Sequence, residues 1–389
     1  MTSTSSTSTI TARELNRATL ARQLLLRREP LGVGDAVRRL LALQTQQPAS
    51  PYLALWNRLD GFDPAELDAA FTDRTLVKAT LLRITLHTVH CDDYRTVREA
   101  MQPTLYASRL GYRFAAAGLT PADAAELEPG LLEFAARPRS NGELAGWLAE
   151  RVGTEKKDGA WWGLRSYAPL VHVPTGGPWS FEYSPSYVAA PEGRFSSEPE
   201  AAEAARAALR VLVLRYLHGF GPASVADIAQ FAMVQRARVR AVLKELGETL
   251  EVIAGPEGRT LYDVHAGPRP PADTPAPPRL LPMWDSVLLA YDDRSRVIPP
   301  EYRKLVTRVN GDVLPTLLID GYVAGVWRPV ADGIEATAFH DLPDAAWDAL
   351  AEEAHTLLAF LADRDRSVYS RYAHWWTKLP AGQTRVLPG

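Results

Sequence analysis

Gln44-Thr45-Gln46-Gln47-Pro48 sets two carboxamides two residues apart, directly after an apolar run and just before a proline. A carboxamide offers one acceptor and two donors and is no base at neutral pH. Two of them aimed at one point would hold a water or a polar ligand. The residue before a proline leaves helical geometry. A helix over residues 33–43 is therefore expected to end around Gln46 or Gln47, and on extended or fraying backbone Gln44 and Gln46 project to the same side. The same letters also fit a polar, solvated helix end.

A second group is Arg83-Ile84-Thr85-Leu86-His87-Thr88-Val89-His90. Its alternation predicts a strand, with Arg83, Thr85 and His87, joined by Asn57, along one polar face. That face suits either phosphate contact or half-exposure. His87 and His90, three apart on a strand, point to opposite faces and are poor joint metal ligands. Arg236, Arg238 and Arg240 fall on a helix predicted over residues 236–246, which reads either as a groove-entering helix or as a solvated face. Asp292-Asp293-Arg294-Ser295-Arg296 interleaves two arginines suited to phosphates in what is otherwise an ordinary charged loop. At Asp320-Gly321-Tyr322, Tyr322 is placed to stack or wedge, unless the turn merely closes a hairpin. There is no P-loop, GxGxxG, HExxH or GxSxG. The chain is thus no obvious NTPase, metalloenzyme or serine hydrolase, and neither a metal nor a cofactor is expected.

These groups need elements to hold them. The 389 residues suggest two to four structural units and are enough for a sizeable core. Cys91 is the only cysteine, which excludes an internal disulfide and fits a reducing cytoplasm. No apolar run is long enough to span a membrane. Residues 1–9 are Ser/Thr-rich without the basic start of a signal peptide, and a disordered tail is expected over residues 1–10. The net charge of −3 speaks mildly against a nucleic-acid protein. Charge is segregated, however: residues 13–39 hold seven arginines against three acids, so a local basic face is expected.

The clearest unit runs over residues 200–267. A helix (206–218), a Gly-rich turn, a helix capped by Ser224 with Asp227, and the helix over 236–246 precede strands at 250–253 and 260–264. Three helices and a hairpin make a winged helix. The order recurs over residues 11–115, with helices at 12–25, 33–43 and 65–71 and strands at 76–83 and 85–89. It recurs again over residues 116–195, where a capping box at Ser140 and Glu143 opens a helix to Val152. There a third helix (161–170) precedes strands at 171–173 and 179–183. Residues 268–282 hold seven prolines and read as a linker. Beyond it a β-rich region, residues 280–389, has strands at 287–291, 314–319 and 322–327, with Asp320-Gly321 as a two-residue turn. A helix over residues 344–362 follows. The fold class expected is α+β: three tandem winged-helix motifs and a C-terminal β-rich region.

At this point the letters resemble the AlkZ/YcaQ family of winged-helix DNA glycosylases. The resemblance lies in Leu43-Gln44-Thr45-Gln46 with Pro51-Tyr52 and Leu55-Trp56, and in Arg83-x-Thr85-Leu86-His87-x-Val89. It continues in the stretch from Leu281-Pro282 to Arg296 and in Ile319-Asp320-Gly321-Tyr322-Val323-Ala324-Gly325-Val326-Trp327. It implies a concave DNA-binding surface and a monofunctional glycosylase that removes N7-alkylated purines. In several members it extends to unhooking interstrand crosslinks. The catalytic motif, Gln, an apolar residue, then Gln or Asp, reads here Gln44-Thr45-Gln46, with Thr45 less apolar than the pattern. The Gln-x-Gln form resembles a branch that protects antibiotic producers from their own genotoxin. DNA contacts are assigned to Arg83, Thr85, His87, Arg294, Arg296 and Tyr322, with the phosphate grip on Arg83, His87, Arg294 and Arg296. The partner implied is double-stranded DNA with alkylated or crosslinked purines, bound by a cytoplasmic monomer. The competing readings are a non-catalytic tandem winged-helix regulator and a drug-sequestering protein using Trp161, Trp162 and Trp179.

Overall fold

The computed structural model describes residues 9–155, 159–182, 184–191, 195, 200–380 and 382–388; the tail expected over residues 1–10 lies almost wholly outside them. Helices and antiparallel strands are mixed, as an α+β chain requires. Contacts gather the chain into two compact units. One takes the chain up to Asp63, Tyr216–Ile228 and the chain from Glu248 onward; the other takes Pro64–Arg215 and Ala229–Gly247.

In the first unit, Thr11 and Glu14 form a capping box that starts the helix Ala12–Arg22. This helix is an organising rod, because Arg17 and Arg22 point inward and Arg13, at the surface, is paired as well. Arg22 gives two 2.8 Å hydrogen bonds to the Asp263 carboxylate and a third to the Leu217 carbonyl, with both side chains fully buried. Arg17 donates to the Thr274 carbonyl and pairs with Asp320, and Arg13 donates to the Ala272 carbonyl and also pairs with Asp320. Arg28 pairs with Glu353 at 2.7 Å and Arg27 with Glu29 at 2.8 Å. Much of the basic face expected over residues 13–39 is therefore spent on internal clamps. The proline-rich stretch is no loose linker either, since two of these arginines grip its carbonyls.

An antiparallel sheet runs Gln383–Leu387, Gly333–Ala338, Tyr322–Val330, Thr316–Ile319, Arg279–Leu281. Asp320 and Gly321 turn it with φ of +50° and +82°, as a two-residue hairpin demands. Gly321 is obligatory for a second reason. A Cβ there would lie 2.5 Å from Leu20 and 2.6 Å from Asn16, whose amide donates to the Gly321 carbonyl at 2.8 Å. The hairpin tip is thus docked on the first helix. The helix Asp344–Ala362 buries Trp347, Leu350, Ala354, Leu357 and Leu361, one stripe at helical spacing.

The second unit holds the antiparallel series Leu86–His90, Leu76–Thr80, Leu170–Val173, Ser186–Ala189, Arg139–Ser140. Its core packs Phe114, Leu131, Leu144, Trp147, Trp161 and Leu164. The Ser140–Glu143 capping box starts the helix Asn141–Val152 as its spacing predicts. The strand expected at residues 179–183 is not formed over its described part; the partner of Leu170–Val173 is Ser186–Ala189. The helix expected over residues 161–170 ends at Leu164, and Leu170 already belongs to a strand.

Helix, helix, helix and hairpin do follow one another at Ala201–Phe220, Val225–Ala232, Arg236–Leu246 and Leu250–Ala254 with Thr260–Val264. Ser224 and Asp227 form the expected reciprocal cap. Compactness does not follow this tandem order, since Arg236–Leu246 and the hairpin are counted in different units. Leaving one member of a buried ion pair stranded costs about 3–5 kcal/mol. Asp263→Ala is therefore expected to lower the urea-unfolding free energy by about that amount; a loss under about 1 kcal/mol would contradict the clamp.

Candidate active site and DNA-contact residues

The glutamine segment is shaped by burial rather than by helix propensity. The helix Val33–Leu40 stops well short of the end expected at Gln46 or Gln47, because Leu41 takes a φ of +70° and its N–H turns back to the Arg38 carbonyl. Leu41, Ala42 and Leu43 are then drawn into the core. Leu43–Gln44 runs as a short strand, the chain bends at Gln46, and the helix Ser50–Trp56 begins with Pro51 in its first turn. The two carboxamides thus sit on a connection between helices and not on a helix end. Nor do they share an environment: Gln46 is exposed, whereas Gln44 is 5 % exposed.

A dense polar scaffold fixes this connection. Ser286 donates to the Ala42 carbonyl at 3.0 Å, and Thr45 donates back to the Leu43 carbonyl at 3.1 Å. The Ser50 N–H bonds to the Gln47 carbonyl, and the Ser50 hydroxyl lies 3.2 Å from that of Tyr369. Tyr369 in turn accepts the Met283 N–H, and burial pushes its phenol well up. Arg58 lies one residue past Asn57. It makes two 2.8 Å bonds to Asp285 and donates to the carbonyls of Gln23 and Ala54. Asp285 also accepts the Val287 N–H and so opens the short 3-10 turn Ser286–Leu288. Residues 287–291 are therefore not the strand their apolar letters suggest. Asn57 is fully buried and donates to the Leu53 and Leu280 carbonyls, which removes it from any DNA-facing row.

The Arg83 group departs from its expected strand. Leu82–Ile84 is a 3-10 turn with Arg83 and Ile84 in the left-handed region, and the strand starts at Leu86. The turn still brings Arg83 and His87 together, at 3.1 Å between Nη2 and Nε2. Arg83 also donates to the Phe231 carbonyl and lies over that ring. Thr85 is half-buried and donates to the Leu82 carbonyl. His87 is 1 % exposed, and burial first and the Arg83 charge second hold it neutral, well below the usual histidine range. A buried, neutral imidazole cannot grip a phosphate through charge, so the expectation for His87 is corrected to a support for Arg83.

Arg296 is corrected likewise. It is 4 % exposed, donates to the Pro222 carbonyl, lies near Asp227 and stacks on Tyr291 at 3.7 Å. Its charge is consumed inside the fold. Tyr322 is half-buried beside the hairpin tip, which Asn16 holds through the Gly321 carbonyl. Arg294 differs. It donates to Thr307 and is pushed down to about 10 by burial and by the positive charge of Arg303. A partly buried arginine with a cationic neighbour favours an anion from outside. Sequence reading missed its neighbourhood, where Arg303 and Lys304 are exposed. Close by, the turn Arg308-Val309-Asn310-Gly311 presents a fully exposed Val309, and Trp284 donates to its Gly311 carbonyl. The Asn310-Gly311 pair was the available signal.

Among the described residues, His90, Cys91 and Asp92 form a group able to offer a metal three ligands. They are consecutive, and His90 Nδ1 already accepts the Asp92 N–H as a helix cap. His87 generates a test. Its folded-state pKa is lowered, so below the unfolded value of 6.5 the unfolded chain binds the extra proton first. Unfolding free energy is therefore expected to fall as pH drops from 6.5, and the His87→Gln variant to show a shallower fall. An imidazole titrating by NMR at its ordinary pKa would contradict this burial.

The AlkZ-like DNA glycosylase family profile matches residues 37–360, which includes both glutamines and the Arg83 and Arg294 regions. The interstrand DNA cross-link repair glycosylase of Streptomyces sahachiroi is 26 % identical over 353 residues, covering 86 % of this chain and 92 % of that one. The solved structure of the Streptomyces sahachiroi DNA glycosylase AlkZ superposes with a TM-score of 0.74 at 22 % identity, over 89 % of this chain and 95 % of that chain. The α+β fold is thus that of AlkZ. With most of its length matched, this chain belongs to the AlkZ-like family of DNA glycosylases, hydrolases that act on N-glycosyl bonds.

Proposed function

We propose that the chain hydrolyses the N-glycosidic bond of N7-alkylated purines in duplex DNA through Gln44 and Gln46, and that interstrand crosslinks are among its substrates. The observation that carries this reading is the glutamine connection itself, an exposed carboxamide beside an almost covered one on backbone clamped from several sides. The cross-link repair relative supports the crosslink part. Family membership weighs against the non-catalytic regulator.

The chemistry suits neutral side chains. An N7-alkylated guanine carries positive charge, and its departure neutralises that charge, so the glycosidic bond is already weak. Positioning and electrostatics then matter more than a strong base. Gln46, at the surface, is assigned to orient the attacking water. Gln44, beneath it, is assigned to hold that arrangement and to turn an acceptor toward the cation-like sugar. Arg294, with Arg303 and Lys304, is the preferred phosphate grip; Arg83 and Thr85 remain secondary candidates. A monomer suffices for this reading, and protection of a producer against its own DNA-alkylating product is the proposed role.

Gln44→Ala and Gln46→Ala are each expected to fold normally and to lose about 10²–10³ in single-turnover base release. The readout is alkaline cleavage of a duplex bearing N7-methylguanine, in parallel with a crosslinked duplex. Wild-type release by the double variant would overturn the assignment. A regulator would give no cleavage and would prefer one undamaged sequence.

A further inference from the structure

A cleft of about 520 Å³ lies in the second unit, away from the glutamines in sequence. Four segments converge on it: the turn at Ile84, the end of the helix Cys91–Tyr106, the start of the helix Ala201–Phe220, and the chain entering Arg236–Leu246. Its walls are largely apolar, with Ile84, Ala205 and Met233, and Thr104 and Ser108 add hydroxyls. Among the described residues no carboxylate lines it. Both Ile84 and Met233 have positive φ, +59° and +54°, a costly conformation for bulky side chains. It is maintained by the Ile84 N–H bond to Leu81 and by Thr104 donating to the Met233 carbonyl.

Among the described residues one charge faces this apolar cleft, that of Arg238. It is half-buried, burial lowers its pKa, and among the described residues no carboxylate pairs with it. The other half-buried arginines described above are matched by acids, carbonyls or hydroxyls. A partly desolvated guanidinium without a counter-charge loses hydration and gains nothing, unless an anion arrives. The helix carrying it starts at Gln235 without a side-chain cap, so its positive end adds to the same field. Arg240, exposed on the same helix, extends the positive potential outward.

We propose that this cleft seats one segment of the DNA backbone, with a phosphate on Arg238 and its deoxyribose against Ile84 and Met233. The inference rests on the glycosylase reading for its choice of ligand. It adds a second, sequence-independent anchor on the unit that does not carry the glutamines. A sugar–phosphate fits the lining better than a free inorganic ion does, because most of the wall is apolar and would stay wetted around a bare anion.

The test is binding of an undamaged duplex, followed by fluorescence anisotropy across a salt series. Arg238→Gln is expected to weaken binding about tenfold and to make the slope of log K against log salt shallower by about 0.9, one phosphate contact. Ala202→Trp, at an exposed position on the rim, is expected to fill the cleft and weaken binding with the arginine intact. Circular dichroism establishes that both variants fold. Wild-type affinity and slope in both variants would overturn the proposal. So would a site where inorganic phosphate raises the wild-type melting temperature and not that of Arg238→Gln while DNA binding is unaltered; that outcome identifies a small-anion pocket. Base release is not measured in this experiment. Failure of the glutamine assignment would therefore leave this result standing, and the reverse also holds.

Discussion

Everything at the candidate active site leans on the buried pairing of Arg58 with Asp285. A guanidinium and a carboxylate with no solvent exposure satisfy each other through two 2.8 Å bonds. The remaining Arg58 donors close on the carbonyls of Gln23 and Ala54. This joins the segment following the first helix, the helix Ser50–Trp56 and the strand-leaving chain at Asp285. From Asp285 the chain reaches Ser286, which holds the Ala42 carbonyl two residues before Gln44. From Met283 and Trp284 it reaches Tyr369 and the Gly311 turn. One ion pair thus fixes the backbone on which a carboxamide can be aimed. Reactions that depend on positioning require a support of this rigidity.

The arginine inventory explains how a chain of net charge −3 belongs to a DNA-acting family. Long-range clamps use Arg13, Arg17, Arg22, Arg28 and Arg58, each answered by an acid of the same unit. Their role is structural, and charge counting alone overstates their value for DNA. Arg294 differs from these: it donates to Thr307 and lies in the field of both Asp292 and Arg303, and it remains the proposed phosphate grip. Counterion release depends on the phosphates actually met and not on the total charge of the protein.

What could be read from the sequence was what local chemistry decides. The Asp320-Gly321 turn, the Ser140–Glu143 and Ser224–Asp227 caps, the helix Asp344–Ala362 and the hairpin Leu250–Ala254 with Thr260–Val264 all follow from neighbours in the chain. Where tertiary burial competes with local preference, the letters mislead. Residues 41–43 look like the end of a helix, yet they are buried and Leu41 turns out of helical geometry, which leaves Gln44 and Gln46 off the helix. Ser286–Leu288 is apolar enough for a strand, but Asp285 caps it into a tight turn. His87 and Arg296 have the right chemistry for phosphate and the wrong depth, and residue type carries no information on depth. Arg238 was singled out by sequence for the helix it occupies; only the structure shows the cleft beside it.

The central claim is that two uncharged carboxamides, and no titrating base, drive base release. The most direct measurement is the pH dependence of single-turnover release of N7-methylguanine at saturating enzyme, from about pH 6 to 9, a range over which glutamine holds its protonation state. A profile flat to within about twofold is the result this account gives. A limb rising about tenfold per pH unit would reveal an ionising catalyst and contradict it.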